Sequence, residues 1–189
     1  MAVALTFDDG PDPIWTPRLL ELLRSLRASA TFFPIARRAA AHPELIARIV
    51  RDGHTVGLHC DEHVRHSARD ERWGRADTSA ALERLAGLGV RPSLWRTPWG
   101  DTADWSLPVA REHGLRLIGW SVDTHDWRGD CARDMFLATR EDLEDGTIVL
   151  AHDGLGPGAR RHGAQETLGY VQLVGDYARA AGLALDALR

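Results

Sequence analysis

Short apolar runs and longer stretches of helical periodicity take turns along nearly the whole chain. Val3 to Phe7 is the first such run. It ends in two adjacent carboxylates, Asp8 and Asp9, and Gly10-Pro11 then break the chain. Leu19, Leu20, Leu22, Leu23 and Leu26 follow as a wide stripe at helical spacing, with Thr16-Pro17 read as N-cap and first-turn proline. Ala30-Thr31-Phe32-Phe33 reads as a strand stopped by Pro34, and Pro43 opens a helix with Leu45, Ile46, Ile49 and Val50 on one face. Further strands are expected at 54–59, 92–95, 115–122, 147–151 and 183–188, and further helices at 78–88, 108–113, 132–140 and 167–181. Residues 61–76 are polar and irregular and read as a long loop.

Strands alternating with helices argue for an α/β fold with a parallel sheet, and seven or eight strand–helix units without repeats or linkers predict a barrel. A chain of 189 residues suits one domain, 1–189, with a full core. In such barrels the chemistry sits at the C-terminal ends of the strands. Asp8-Asp9, His59, Arg96, Asp123, Asp126 and His152 all fall at or just beyond such ends, a bias that scattered polar residues would not show.

Composition removes several function classes. Formal net charge is −4 with nine His counted neutral, so there is no general basic field and no nucleic-acid partner is expected. All 23 basic residues are Arg, which excludes Schiff-base lysine chemistry and a P-loop lysine. Cys60 and Cys131 are too few for a disulfide framework or a cysteine-type zinc site. No apolar stretch approaches membrane-spanning length and no basic-then-apolar leader is present, so the expectation is a cytoplasmic protein without a membrane partner, or a secreted one if a leader has been removed. The sequence sets no oligomeric state.

His59 and His63 are four residues apart, a spacing at which two imidazoles can meet one cation if the segment coils. Asp9 would add an oxygen ligand, although spacing alone leaves Cys60, Asp61 and His66 open as the third. Three protein ligands with an open position is the design of a catalytic zinc site.

Five ordered segments carry a resemblance: Thr6-Phe7-Asp8-Asp9-Gly10-Pro11, His59-x-x-x-His63, Arg96-Thr97-Pro98-Trp99-Gly100, Asp123-x-x-Asp126-Trp127 and Leu150-Ala151-His152-Asp153. Together with Thr31-Phe32-Phe33 they resemble the polysaccharide deacetylases, the NodB-homology carbohydrate esterases of family 4. The resemblance implies a distorted (β/α) barrel and metal-dependent hydrolysis of N-acetyl, or sometimes O-acetyl, groups. It implies Asp9, His59 and His63 as metal ligands, with Zn2+ expected and Co2+ or Ni2+ as alternatives. Asp8 is then the general base paired with Arg96, and His152 the general acid steadied by Asp126. Trp99 stands where Tyr is usual and offers its backbone N–H to the oxyanion, while Trp127 and Leu150 line the acetyl slot. The implied partner is a small carbohydrate or another N-acylated compound. An inactive carbohydrate-binding domain is the alternative from another class.

Cys60 replaces the usual Ser or Thr after the first metal histidine, so it either loosens that loop or touches the metal. Trp105 is a candidate sugar platform, with a core role as its alternative. His54, His66, His113 and His125 are expected to be structural or solvated. The Gly-rich segment 154–163, with Arg160-Arg161, is read as a mobile surface loop or a site for an anionic substrate.

Overall fold

A computed structural model describes residues 1–189. Strand β1 (Ala2–Asp8) is buried from Val3 onward, because its apolar residues have helices or sheet on either side. The other elements follow as α1 (Trp15–Leu26), β2 (Thr31–Phe33), α2 (Ala36–Ala41), α3 (Pro43–Arg51), β3 (Thr55–Val56), α4 (Glu71–Gly87), β4 (Leu94–Trp95) and α5 (Ser106–Glu112). The chain then runs through β5 (Arg116–Leu117), β6 (Val122–Asp123), α6 (Ala132–Thr139), β7 (Ile148–His152), α7 (Gln165–Ala181) and β8 (Ala184–Leu185).

All strand pairs are parallel. The main sheet has the order β3-β2-β1-β7-β6, with β8 attached to the start of β1, and β4-β5 form a separate pair. A parallel bridge between Leu58 and Trp95 carries the wall from the end of β3 to β4. The strands therefore follow one another around a barrel that is continuous from β6 through β1 to β5 and open between β5 and β6. This is the distorted barrel that the motifs imply. A cluster of 33 buried residues fills it and packs its helices, among them Phe7, Phe32, Leu20, Ile46, Trp95, Val149 and Val174.

Four local expectations need correction. Residues 115–122 are not one strand: β5 pairs with β4 and β6 with β7, so this apolar segment crosses the open seam and bends at Ser121. The polar loop after His59 is shorter than predicted, because α4 starts at Glu71, where the Asp70 carboxylate accepts from the Trp73 N–H. Helix α2, absent from the prediction, begins two residues after Pro34. Thr16 is not the cap of α1. The Asp12 carboxylate takes the N–H groups of Ile14 and Trp15, and the Thr16 hydroxyl is committed to Asp153 at 2.5 Å.

Candidate active site

Residue alternation on β1 and β7 sets the site. Asp8 pairs in register with His152 and Thr6 with Leu150, so all four side chains face the same way at the C-terminal mouth of the barrel. Asp9 would point away if the strand continued. Instead it takes φ +70, a left-handed conformation that Asp tolerates better than most residues, and turns its carboxylate into the same cleft.

There Asp9 Oδ1 lies 3.3 Å from His59 Nε2 and 3.1 Å from His63 Nε2. His59 Nδ1 lies 2.6 Å from the Arg96 carbonyl, which can only accept, so Nδ1 carries the proton and Nε2 presents a lone pair. Asp9 Oδ1 is buried and makes no hydrogen bond. Ligand atoms about 2.0–2.1 Å from a tetrahedral ion stand roughly 3.3 Å from one another. The donor set, its spacing and the orphaned oxygen all fit a divalent cation. Cys60 is outside this cluster: its thiol is buried, burial pushes its pKa up, and its carbonyl accepts from the Ala36 N–H. Of the third-ligand candidates that spacing leaves open, Asp9 is the one the fold brings together with His59 and His63, and the Cys60 thiol lies outside that group.

The ligand loop is held from outside. Asp61 receives Arg37 Nε from α2 and Arg84 Nε from α4, at 2.8 and 2.7 Å, and Asp77 accepts the backbone N–H groups of Asp61 and Glu62.

Behind Asp8 sits Arg96, fully buried between Phe33 and Trp120. Its Nη1 donates to Asp8 Oδ1 at 3.0 Å and to Thr6 Oγ1 at 2.6 Å, and its Nη2 to the Gly119 carbonyl at 2.9 Å. Behind His152 sits Asp126, with Oδ1 2.7 Å from Nδ1 and Oδ2 3.0 Å from the His152 backbone N–H. Burial opposes the imidazolium, but Asp126, with Asp8 and Asp9 beyond it, outweighs burial and raises the His152 pKa to about 9. Another carboxyl, Asp153, is sealed under Gly10, where a Cβ would collide with it, and burial raises it to about 7.

The cleft above these groups has a volume of about 380 Å³. Asp8, Asp9, His59, His63, Trp99, Trp127, Leu150 and His152 all line it, while Arg96 and Asp126 stand directly behind the wall. Trp99 is 41% exposed, with its ring edge-on to His63 at 4.2 Å and the Arg65 guanidinium over its face. Trp105 is not a platform. It is buried, stacked on His66 at 4.4 Å, and packed where any side chain at position 74 would collide with it.

The segment 154–163 also differs from its reading. It forms a cleft wall through Gly154, Gly156, Pro157, Gly158 and Ala159. Arg38 clamps it, donating to the carbonyls of Asp9 and Leu155, and Arg161 is buried on Asp126 instead of facing an anionic substrate. Arg38 and the cleft residue Trp120 are not legible in the sequence as site residues, and Arg161 is legible only as a candidate anion contact, not as a partner of Asp126. Arg161 meets Asp126 from 35 positions away and Arg38 meets Leu155 from 117, so no local spacing marks either.

A family model for polysaccharide deacetylase matches residues 1–118, and the chain belongs to that family of hydrolases. The chain is 33% identical to a chitooligosaccharide deacetylase of Azorhizobium caulinodans, across 99% of its own length and 92% of that protein. A peptidoglycan-N-acetylglucosamine deacetylase of Bacillus cereus is 34% identical over 88% of this chain, which spans only 60% of that relative. Among solved structures, a family 4 carbohydrate esterase from Streptomyces lividans in complex with acetate has a TM-score of 0.87 at 29% identity, with 97% of this chain and 90% of that one covered.

Proposed function

We propose that this chain is a divalent-metal-dependent N-deacetylase that releases acetate from an N-acetylated amino sugar, as in a chito-oligosaccharide. The observation that carries this reading is the convergence of a carboxylate, an imidazole and an N2O ligand triad on one cleft, each backed by its own partner. Names of the relatives, which act on chitooligosaccharide and peptidoglycan, point to the same substrate class.

Amide hydrolysis needs an activated water, a polarised carbonyl and a proton for a poor leaving group. Asp9, His59 and His63 would hold a divalent ion, which when bound would supply the Lewis acidity that carbonyl polarisation and water activation require. Asp8, oriented by Arg96, takes the proton from the attacking water. His152 gives a proton from Nε2 to the departing amine, since Nδ1 is bound to Asp126. Trp127 and Leu150 flank the place of the acetyl methyl, and Trp99 forms the outer wall toward the sugar.

The test is acetate release from N-acetylated chito-oligosaccharides by protein stripped with chelator and then reloaded with Zn2+, Co2+ or Ni2+. Loss on stripping and recovery on loading support the reading. Full activity after exhaustive chelation overturns it. Asp9→Ala and His59→Ala should abolish both metal uptake and acetate release. Parallel assays with an O-acetylated sugar and a non-sugar N-acetyl amide rank the alternative substrates.

A further inference from the structure

Asp126 Oδ1 contacts the imidazole of His152, so the direction of that contact depends on what holds the other oxygen. Oδ2 accepts from three groups: the His152 backbone N–H at 3.0 Å, the Thr167 hydroxyl at 2.7 Å and Arg161 Nη1 at 2.8 Å. Arg161 reaches further. Its Nη2 donates to the carbonyls of His152 and Gly154 at 2.8 and 3.0 Å, and Nη1 also touches the Thr167 hydroxyl. One guanidinium thus binds the carboxylate behind the imidazole, the backbone that carries the imidazole, and the segment that walls the cleft. A planar fork can do this from one position; an ammonium cannot.

We propose that Arg161 is a positioning residue for the general acid. By locking Asp126 and the His152 carbonyl together, it keeps Nδ1 engaged and Nε2 aimed into the cleft. The assignment rests on the reading of His152 as the proton donor. A plain loop staple is the competing role, and leaving-group chemistry separates the two. In amide cleavage the water oxygen bonds to the acetyl carbon, the C–N bond breaks, and the nitrogen must collect a proton from His152 as it leaves. In 4-nitrophenyl acetate the C–O bond breaks and nitrophenolate leaves as a stable anion, needing no proton.

The experiment compares Arg161→Met, Arg161→Lys and Thr167→Val with the unaltered protein, all zinc-loaded, on an N-acetylated chito-oligosaccharide and on 4-nitrophenyl acetate. Arg161→Met should lower kcat on the amide by about 10²-fold or more, the scale of general-acid catalysis. Its KM should hold, and its ester rate should stay within about threefold of the unaltered protein's, since that route makes no use of the acid. Arg161→Lys should fall between, and Thr167→Val should show the same selectivity at smaller size. Thr167→Val decides the matter if Arg161→Met does not fold. Equal losses on both substrates, or no loss on either, overturn the positioning role. Absence of amide turnover in the unaltered protein is a different result, which sinks the deacetylase reading itself.

Discussion

Asp8 and His152 are register partners across the parallel β1–β7 ladder. Neighbouring strands lie about 4.8 Å apart, so the sheet itself sets the proposed base beside the proposed acid. What separates their tasks is the group behind each, Arg96 for Asp8 and Asp126 for His152. Asp8→Asn keeps the shape and one oxygen for Arg96. It should retain zinc binding and folding while acetate release falls by about 10²-fold or more, the usual scale of a lost general base. Zinc titration beside the acetate assay checks both halves.

The raised pKa of His152 predicts a pH window for stability. Its folded value is about 9 against an ordinary 6.5, so the stabilisation from its charged form is complete below 6.5 and disappears as pH rises through 9. Asp126→Asn removes the carboxylate that drives this shift. Urea unfolding of the metal-free protein at about pH 6 and about pH 9.5 should show a larger drop for the unaltered protein than for Asp126→Asn. Asp153, raised to about 7 by burial, titrates in both proteins and cancels in the comparison.

Removing Asp61 should weaken the metal site without unfolding the barrel. Its carboxylate is buried, but Arg37 and Arg84, which it joins, are half-exposed and stay hydrated once released. The loop carrying His59 and His63 then loses its buried carboxylate anchor but keeps the Asp77 bonds to its backbone, the Ala36 N–H on the Cys60 carbonyl and the Trp95 Nε1–H on the His59 carbonyl, which hold the fold. Asp61 braces the loop and touches none of the three ligand side chains, so the loss in metal affinity should be about tenfold, the low end of what groups bonded to the ligands themselves cost. Zinc competition against a chromogenic chelator should show that loss for Asp61→Ala and a smaller one for Asp61→Asn.

Much of this site was readable in order along the chain, and the reason is physical. Asp8, Asp9, His59, Arg96 and His152 sit where strands end, and the periodicity that marks a strand also marks its end. Asp126 and Trp127 follow β6 at once. What stayed hidden was everything set by approach through space. Trp105 and Trp99 look alike in sequence, yet Gly74 of α4 packs against the first and leaves it in the core. The apolar residues 115–122 read as one strand because apolarity does not reveal which neighbour each half pairs with. Arg161 was visible only as a charge in a Gly-rich segment. Its burial depends on α7 bringing Thr167 beside Asp126.

Gly156 gives a sharp steric prediction. A Cβ there would collide with Asp9 Oδ2, so the wall segment and the ligand approach as closely as they do only because position 156 has no side chain. Gly156→Ala must shift the segment or rotate Asp9, and zinc affinity and acetate release should fall together. Gly87→Ala is the control. Nothing lies within 4 Å of its Cβ and it closes α4, so activity should hold and stability should rise by up to about 1 kcal/mol.

Trp99 and Trp105 should respond oppositely to truncation. Trp105 is buried on His66, and its Nε1–H donates to the Arg69 carbonyl, so Trp105→Ala opens a cavity and orphans an acceptor. Loss of a core aromatic costs about 3–5 kcal/mol. The urea midpoint of Trp105→Ala should drop accordingly, with KM unchanged in whatever protein remains folded. Trp99 is exposed at the cleft rim and lines the cleft, where it is proposed to wall the substrate. Trp99→Ala should leave the unfolding midpoint nearly unchanged and raise KM for a chito-oligosaccharide by about tenfold, since stacking on an exposed aromatic face is worth about 1 kcal/mol or more. A Trp99→Ala protein with unchanged KM would remove Trp99 from the substrate wall and leave Trp127 as the aromatic surface for the sugar.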